Sequence, residues 1–436
     1  MLDPRFIREH HQEVIDAAKA KNIALDFKRL FKLDEEKRKT QARAEETRAL
    51  QRELSSAIPK AAPAVKKKLI ADSTKLKEQF VKFDKKLKGI EAELIPLLLA
   101  VPNIPLPDVP VGKDESGNQV LRVSGSPTKF DFKPRPHWEI GEGLGVIDNE
   151  RAAKVSGARF TYLRGKLALL QFALIQFVMR TVTDRAVLET VIHDAKLDVP
   201  STPFIPVVPP VMLKPDTFAR MARLDPREER YYLPTDDLYL AGSAEHTIGS
   251  MHMDEILEER SLPLRYIGYA TSFRREAGSY GKDTRGILRL HQFDKLEFES
   301  FTVGERSSAE QDLLVALQER LMRSLGLPYR IVAICTGDMG APDARQIDLE
   351  TWMPGQGAYR ETHTADLMTD FQARRLQTRI RRAAGTVELA HMNDATALAI
   401  GRTLVAIIEN YQEEDGSVRV PEVLIPHCGF DRITRE

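Results

Sequence analysis

A single stretch of the 436-residue chain, residues 273–297, concentrates side chains that are suited to binding phosphate. Three of its four arginines are brought close together by a loop with three glycines between two strand-like runs. These arginines are Arg274, Arg285 and Arg289, and the glycines are Gly278, Gly281 and Gly286. A guanidinium group binds phosphate or carboxylate oxygens in pairs through a planar fork of N–H donors. The stretch therefore predicts a β-hairpin that clamps a polyphosphate; the alternative is a surface hairpin with ordinary salt bridges.

The sequence lacks the common nucleotide-binding and hydrolytic motifs. It contains no GxxxxGK[ST] loop, no GxGxxG after a strand, no HExxH and no GxSxG. A protein of this sequence that uses ATP must therefore bind it through a different construction.

The overall composition is that of an ordinary soluble protein, with 42% apolar residues. Lysine plus arginine equals aspartate plus glutamate, at 64 each, so net charge does not point to a nucleic-acid partner. Cys335 and Cys428 are too few for a disulfide framework or a CxxC zinc site. The first residues lack the apolar core of a secretory signal, and no apolar run reaches the roughly 18 residues of a membrane helix. We expect a cytoplasmic protein without a membrane-spanning segment.

The first hundred residues have the pattern of two long helices. Between Asp34 and Leu98 the sequence is rich in charge and has one glycine, Gly89. Apolar and small residues follow heptad spacing in the second helix at Leu69, Ser73, Leu76, Phe80, Phe83, Leu87, Ile90 and Leu94, and more thinly in the first at Ala44, Thr47, Leu54 and Ile58. Prolines at 59 and 63 break the helix between them. We predict an antiparallel coiled-coil arm in residues 1–105 and a second domain in residues 106–436.

The second helix of this arm carries a local excess of positive charge. Residues 59–90 contain ten lysines against three acidic residues. Such a stripe suits the phosphate backbone of a nucleic acid and favours recognition by shape over reading of bases. The alternative is a dimerisation coiled coil with a solvated surface. The lysines we expect to bind nucleic acid are Lys60, Lys66, Lys67, Lys68, Lys75 and Lys82.

The rest of the chain mixes short strand-like runs with amphipathic helices. Residues 101–117 contain four prolines and are expected to form an exposed linker. Strands are expected at 159–163 and 329–334, and helices at 167–181 and 309–325. Strands and helices do not alternate regularly, so the pattern favours an α+β body with a mainly antiparallel sheet.

Residues 273–297 fit the pattern FRxEAGSxGxDxRGxxRxHQFxKxE at every fixed position. This resembles motif 2 of the class II aminoacyl-tRNA synthetases in its seryl-specific form, of the bacterial type. The resemblance extends over nearly the whole chain, through Pro209-Pro210 (motif 1), Ser243–Glu245 (the TxE loop), residues 348–356, 359–363 and 370–375, and Gly401–Asn410 (motif 3). It implies a class II antiparallel sheet flanked by helices, with a coiled-coil arm at the N-terminus.

The family resemblance assigns the ATP-binding residues position by position. Arg274 would hold the α-phosphate and the serine carboxylate and stabilise the charge that develops as they react. Glu276 would accept from the adenine amino group, and Arg289 would bind the outer phosphates. Phe293 would stack on one face of adenine, with Arg402 on the other face near the γ-phosphate. Arg274 and Arg402 are thus the catalytic candidates.

The same resemblance assigns the metal and the amino acid. Magnesium would be bound by the hard oxygens of Glu361, which also belongs to the ATP site, and Thr364. Glu245 would accept from the α-ammonium group of serine, while Glu297 and Thr396 would hydrogen-bond its hydroxyl. Ser243 and Arg274 complete the serine site. A pocket built around a hydroxyl rejects alanine because alanine leaves buried polar groups unpaired.

Three departures from the family pattern concern the amino-acid pocket. Ser243 stands where the family has threonine. Residues 364–368 read TADLM where many members read SCSNC, which introduces Asp366. Residues 394–396 read DAT where many members read NGS, which introduces Asp394. The segment 182–204 before motif 1 is also longer than usual. These changes bear on amino-acid selectivity more than on catalysis.

The implied function is a serine–tRNA ligase that uses ATP and Mg2+. Serine is converted to seryl-adenylate and then transferred to the 3′ end of tRNA(Ser), with tRNA(Sec) as a further candidate substrate. The resemblance also implies a homodimer through motif 1. The alternatives are a paralogue that loads a carrier protein, and a non-catalytic RNA-binding protein.

Overall fold

The computed structural model describes residues 1–277 and 285–435, and within them the chain forms two compact units, Met1–Ile104 and Pro105–Glu436. The helices are α1 Pro4–Glu9, α2 His11–Ala20, α3 Phe27–Ala57, α4 Pro63–Ala100, α5 His137–Gly143, α6 Asn149–Ser156, α7 Gly165–Thr183, α8 Arg185–Ala195, α9 Pro215–Arg220, α10 Glu245–Ile248, α11 Ser307–Ser324, α12 Phe371–Leu376, α13 Ile400–Asn410 and α14 Ile425–Cys428.

The strands are β1 Gln119–Ser124, β2 Ile147–Asp148, β3 Tyr162–Leu163, β4 Ile205–Val207, β5 Met212–Leu213, β6 Tyr232–Leu233, β7 Leu238–Leu240, β8 Ile256–Glu258, β9 Leu264–Phe273, β10 Gln292–Thr302, β11 Tyr329–Ala333, β12 Arg345–Met353, β13 Ala358–Thr369, β14 Arg379–Arg381, β15 Val387–Leu389, β16 His391–Ala399, β17 Val418–Arg419 and β18 Arg432–Ile433.

The first unit is built on the predicted pair of long helices. Helix α3 begins after Asp26, whose side chain accepts from the backbone N–H of Arg29 at 2.8 Å, and α4 begins at Pro63. An ion pair joins Arg29 to Glu93 at one end of the pair, and Ser55 contacts Ser73 at 3.0 Å nearer the other, as antiparallel helices require. The predicted heptad positions are the buried or half-buried ones in both helices. The coiled-coil prediction is confirmed.

The second unit is organised by one large sheet. Its eight strands lie in the order β1-β11-β12-β13-β16-β10-β9-β4, and every neighbouring pair is antiparallel except β4 with β9. Helices α7, α11 and α13 pack their apolar residues against it in one core cluster. Predicted helices and strands match α7, α11 and β11, but the run at 159–163 forms only the short strand β3. The predicted α+β class II fold is confirmed.

The long segment before motif 1 folds as helix α8. Leu188 and Val191 of α8 are buried in the main core cluster of the second unit. Helix α8 is therefore a packed helix of the second unit.

The expectation of an exposed linker at 101–117 is wrong for its first part, since Val101, Asn103 and Val109 are buried, whereas residues 113–116 are exposed as expected. The backbone N–H of Leu106 donates to the Ala344 carbonyl at 2.8 Å, and Val109 is buried among Val332, Ile334 and Met339. The four prolines do prevent regular structure here, but the apolar residues between them pack on the sheet.

Helix α7 corrects a second expectation from the sequence. Its 19 residues are long and apolar enough to cross a membrane by length and composition. The fully buried Leu167, Leu174 and Val178 belong to the main core cluster, which is the packing of an amphipathic helix with one face on a domain core.

A buried ion pair joins strand β9 to helix α11. Arg265 donates to Glu310 from Nε at 2.9 Å and from Nη2 at 2.6 Å, and both side chains are inaccessible to solvent. Arg265 Nη1 also donates to the carbonyls of Pro200 and Thr202. Replacing Arg265 alone should leave Glu310 as an uncompensated buried charge.

We therefore predict that R265M lowers the free energy of unfolding by about 3–5 kcal/mol. The double variant R265M/E310M should recover part of that loss because no unpaired charge remains. Urea unfolding followed by circular dichroism gives both values. Equal destabilisation by the single and double variants would contradict the prediction.

Candidate active site

The predicted site residues converge on one cleft at the β9–β10 hairpin. The cleft has a cavity of about 200 Å³ and is partly open to solvent. The predicted residues that line it are Glu245, Arg274, Glu276, Arg289, Phe293, Glu361, Thr364, Thr396 and Arg402. Ser243 and Glu297 are buried and hydrogen-bonded to each other at 2.7 Å.

Arg274 leaves strand β9 at the point where the hairpin opens. Its backbone N–H donates to the His291 carbonyl at 2.9 Å, and its Nε donates to the Gly242 carbonyl at 3.0 Å. The guanidinium carbon lies 5.4 Å from the centre of the Phe293 ring. Burial lowers the pKa of Arg274, although it remains a cation at neutral pH. The guanidinium plane is therefore fixed before any substrate binds.

The predicted three-arginine clamp is only partly correct. Arg274 and Arg289 line the cleft, whereas Arg285 is exposed and is not among the lining residues. Gly278 and Gly281 lie outside the described residues. Arg289 Nη1 donates to Glu276 at 2.6 Å, so two residues assigned to ATP bind one another here.

Gly286 allows the hairpin to return against helices α5 and α13. Its φ is +76°, and a Cβ there would lie 2.0 Å from Nε2 of His137. That nitrogen accepts from the backbone N–H of Ile287 at 3.1 Å, and Nδ1 of the same ring contacts the Glu409 carboxylate at 3.0 Å. Glycine is required because both the backbone conformation and the close approach exclude a side chain.

Arg402 enters the cleft from the first turn of α13. Its Nη1 donates to the backbone carbonyl and the carboxylate of Glu361, at 2.9 and 2.8 Å. Burial alone would raise the pKa of Glu361, but Arg402 and Lys295 outweigh it and the pKa is lowered. Glu361 is therefore an anion that is ready to bind a cation.

Thr364 is held by an acid that the sequence reasoning missed. Its Oγ1 donates to Asp348 at 2.5 Å, because the two residues lie opposite each other on β12 and β13. Burial, and then the neighbouring Glu361, raise the pKa of Asp348 well above its usual range. Asp348 lies within the matched run 348–356, but nothing in the sequence shows that it contacts Thr364.

The residues assigned to the serine hydroxyl are neighbours across strands β10 and β16. Glu297 pairs with Thr396 in the register of these strands. Glu297 Oε1 also accepts from Ser243 and forms an ion pair with Lys295. Burial, and then Arg274, lower the pKa of Lys295 to about 8. The motif pattern contains Lys295, but our sequence assignment gave it no role.

Arg223 is a second residue that the sequence reasoning missed. It follows helix α9 and reaches into the amino-acid end of the cleft, where its Nε lies 3.2 Å from Glu245 Oε1. Burial would raise the pKa of Glu245, but Arg223, His246 and Lys295 hold that pKa well below its usual range. The run of residues around Arg223 matches no motif that would have identified it.

Comparison with known proteins places both units in one family. Residues 1–105 match the family described as "Seryl-tRNA synthetase N-terminal domain", and residues 231–411 match "tRNA synthetase class II core domain (G, H, P, S and T)". A "Serine--tRNA ligase" of Thermodesulfovibrio yellowstonii is 41% identical, over 99% of this chain and 100% of that protein. A "Serine--tRNA ligase" of Geobacter sulfurreducens is 40% identical, over 98% of this chain and 99% of that protein.

Solved structures agree over the full length. A seryl-tRNA synthetase from Pyrococcus horikoshii complexed with ATP superposes with a TM-score of 0.89 at 34% identity, covering 100% of both chains. The cytoplasmic serine–tRNA ligase of Naegleria fowleri in complex with AMP gives a TM-score of 0.84 at 29% identity, covering 100% of this chain and 99% of that one. The chain therefore belongs to the seryl-tRNA synthetase family, and it has the core of a class II aminoacyl-tRNA synthetase.

Proposed function

We propose that the chain activates serine with ATP in this cleft and then transfers the seryl group to tRNA(Ser). The observation that carries the proposal is the half-buried guanidinium of Arg274, which donates to the Gly242 carbonyl and lies over the Phe293 ring in the cleft. A serine carboxylate oxygen attacks the α-phosphorus of ATP, the bond to the bridging oxygen breaks, and pyrophosphate leaves. Arg274 stabilises the negative charge that both reactants bring together.

The second step consumes the adenylate. The 3′-terminal ribose hydroxyl attacks the seryl carbonyl carbon, the ester to tRNA forms, and AMP leaves with the electron pair of the broken anhydride bond. Catalysis in both steps is by positioning and electrostatic stabilisation, without a covalent enzyme intermediate.

Magnesium fits the donors that this chain offers. Glu361 is an anion, Thr364 supplies a hydroxyl, and the buried Asp348 accepts from that hydroxyl at 2.5 Å. Glu361 and Thr364 would hold the ion, which would offset the charge of the ATP phosphates.

The test of the proposal is serine-dependent exchange of ATP with pyrophosphate by the purified protein. Alanine, threonine and glycine serve as controls. We expect exchange with serine alone. Exchange with another amino acid would reassign the pocket, and no exchange would favour the non-catalytic RNA-binding alternative.

We predict that E276Q raises the KM for ATP about tenfold or more while the KM for serine stays within about twofold. The variant removes the acceptor assigned to the adenine amino group and breaks the Glu276–Arg289 pair. E319Q is the matched control, because it breaks the Arg122–Glu319 pair outside the cleft. Equal KM changes for both substrates would contradict the assignment of Glu276.

The arm is proposed to bind tRNA through exposed lysines of α4 and the turn before it. Lys60, Lys66, Lys67, Lys68, Lys75 and Lys82 are all exposed. A slender helical hairpin contacts a folded RNA by shape and phosphate charge. Domain roles follow: residues 1–105 bind tRNA and residues 106–436 carry out the chemistry. We also propose tRNA(Sec) as a further candidate substrate.

We predict that K66Q/K67Q/K68Q raises the KM for tRNA(Ser) about tenfold or more and flattens its dependence on salt, because fewer counterions are released on binding. The rate of serine-dependent exchange should not change. K28Q/K32Q/K39Q is the matched control. It removes three exposed lysines from the first part of α3, far along the helix pair from the turn before α4. The assignment fails if both triple variants weaken tRNA charging equally.

We also propose that the protein forms a homodimer in the cytoplasm. Helix α7 and the motif 1 segment expose large apolar side chains: Leu169, Phe172, Ile205 and Val208 are 54%, 61%, 48% and 81% accessible. Exposed apolar patches of this kind are covered in assemblies.

We predict that L169D/F172D converts the dimer to a monomer by placing charges in that interface, as measured by light scattering. V155D, at another exposed apolar residue, is the control. A variant that stays dimeric would place the interface elsewhere.

A further inference from the structure

The amino-acid end of the cleft contains one arginine surrounded by carboxyl groups from four separate segments. Arg223 Nε lies 3.2 Å from Glu245, and its Nη2 lies 3.3 Å from both Asp366 and Asp394. Asp343 is 3.7 Å from the same nitrogen. These five residues are called the Arg223 cluster below.

Without Arg223, the acidic residues of the cluster would repel one another. Asp366 of β13 and Asp394 of β16 are direct partners in neighbouring strands, and Glu299 of β10 is the next partner of Asp394. Like charges at such positions repel one another. The side chains of Asp366 and Asp394 are 7% and 1% accessible, so water screens them little.

The cluster has more acid than its arginine compensates. Within the described part of the chain, one carboxyl oxygen of Asp366, one of Asp394 and both of Glu299 are buried without a hydrogen-bond partner. A further cation at this end of the cleft would relieve the excess. The α-ammonium group of the amino acid is such a cation.

The two aspartates are the residues that depart from the uncharged SCSNC and NGS runs of related synthetases. Both lie against the same guanidinium that also contacts Glu245. Arg223, Asp366 and Asp394 therefore form one chemical unit at the floor of the pocket. A change to one of them alters the charge felt by the others.

We propose that Arg223 is a positioning and specificity-determining residue for the amino acid. It orients Glu245 and keeps it ionised, so that Glu245 can accept from the ammonium group. It also offsets the charge of Asp366 and Asp394 in their buried positions. The proposal rests on the assignment of Glu245 to the ammonium group made above.

The experiment compares three variants by ATP–pyrophosphate exchange: R223Q, D366S/D394N, and the combination R223Q/D366S/D394N. We expect R223Q to raise the KM for serine about tenfold or more while the KM for ATP stays within about twofold. The combined variant should bind serine better than R223Q, because the carboxylates that Arg223 compensated are gone. R223K, which keeps the charge and loses the planar fork, should fall between R223Q and the parent.

R220Q is the matched control. Arg220 lies three positions earlier and pairs with Asp254 at 2.7 Å, outside the cleft. R220Q should leave both KM values unchanged. Additive effects of R223Q and D366S/D394N would overturn the proposal, as would parallel rises in the KM for serine and for ATP.

A separate variant, E245Q, tests the assignment of Glu245 independently of the role of Arg223. If E245Q leaves the KM for serine unchanged, the assignment of Glu245 is wrong and the ammonium group binds elsewhere. If E245Q raises that KM but the combined variant shows no rescue, Glu245 is correctly assigned and the role of Arg223 is overturned.

Discussion

The catalytic cleft depends on compensation between opposite charges in a space that water only partly reaches. Lys295 is buried, and Arg274 and Arg223 are half-buried, beside carboxylates. In such surroundings a charge is stable only where a counter-charge or a set of hydrogen bonds replaces its hydration. The sheet satisfies this condition because neighbouring strands place acids and bases side by side. The same condition makes the cleft selective, since a substrate must bring the charges that the protein leaves uncompensated.

Strand β10 shows how the backbone distributes these groups. Side chains alternate between the two faces of a strand, so Lys295, Glu297 and Glu299 point to one side. Leu296 and Phe298, between them, are fully buried in the core cluster with α7 and α11. A shift of register by one residue would exchange the two sets and bury the charges in the apolar core. The packing of Leu296 and Phe298 therefore also fixes the orientation of the catalytic face.

Much of this architecture follows from local sequence patterns, and the remainder does not. The heptad seam of α4 and the hairpin around Arg274 were predicted because each depends on residues close together in the chain. Asp348 and Arg223 were missed because their roles come from contacts across strands and from a loop that follows α9. Arg285 was wrongly placed in the clamp, since periodicity cannot tell which arginine of a turn points inward. The packing of Val109 on the sheet was hidden by prolines that usually indicate exposed chain.

The residues assigned to ATP are paired with one another in the structure, and this pairing has a consequence for specificity. Arg289 binds Glu276, and Arg402 binds Glu361. Each side chain assigned to the nucleotide must therefore exchange a protein partner for a substrate group of the same charge or hydrogen-bonding type. A molecule that offers phosphates but no amino group would separate Glu276 from Arg289 without satisfying the carboxylate. Because a buried acceptor left without a donor is costly, the resting ion pairs discriminate against such molecules before any chemistry takes place.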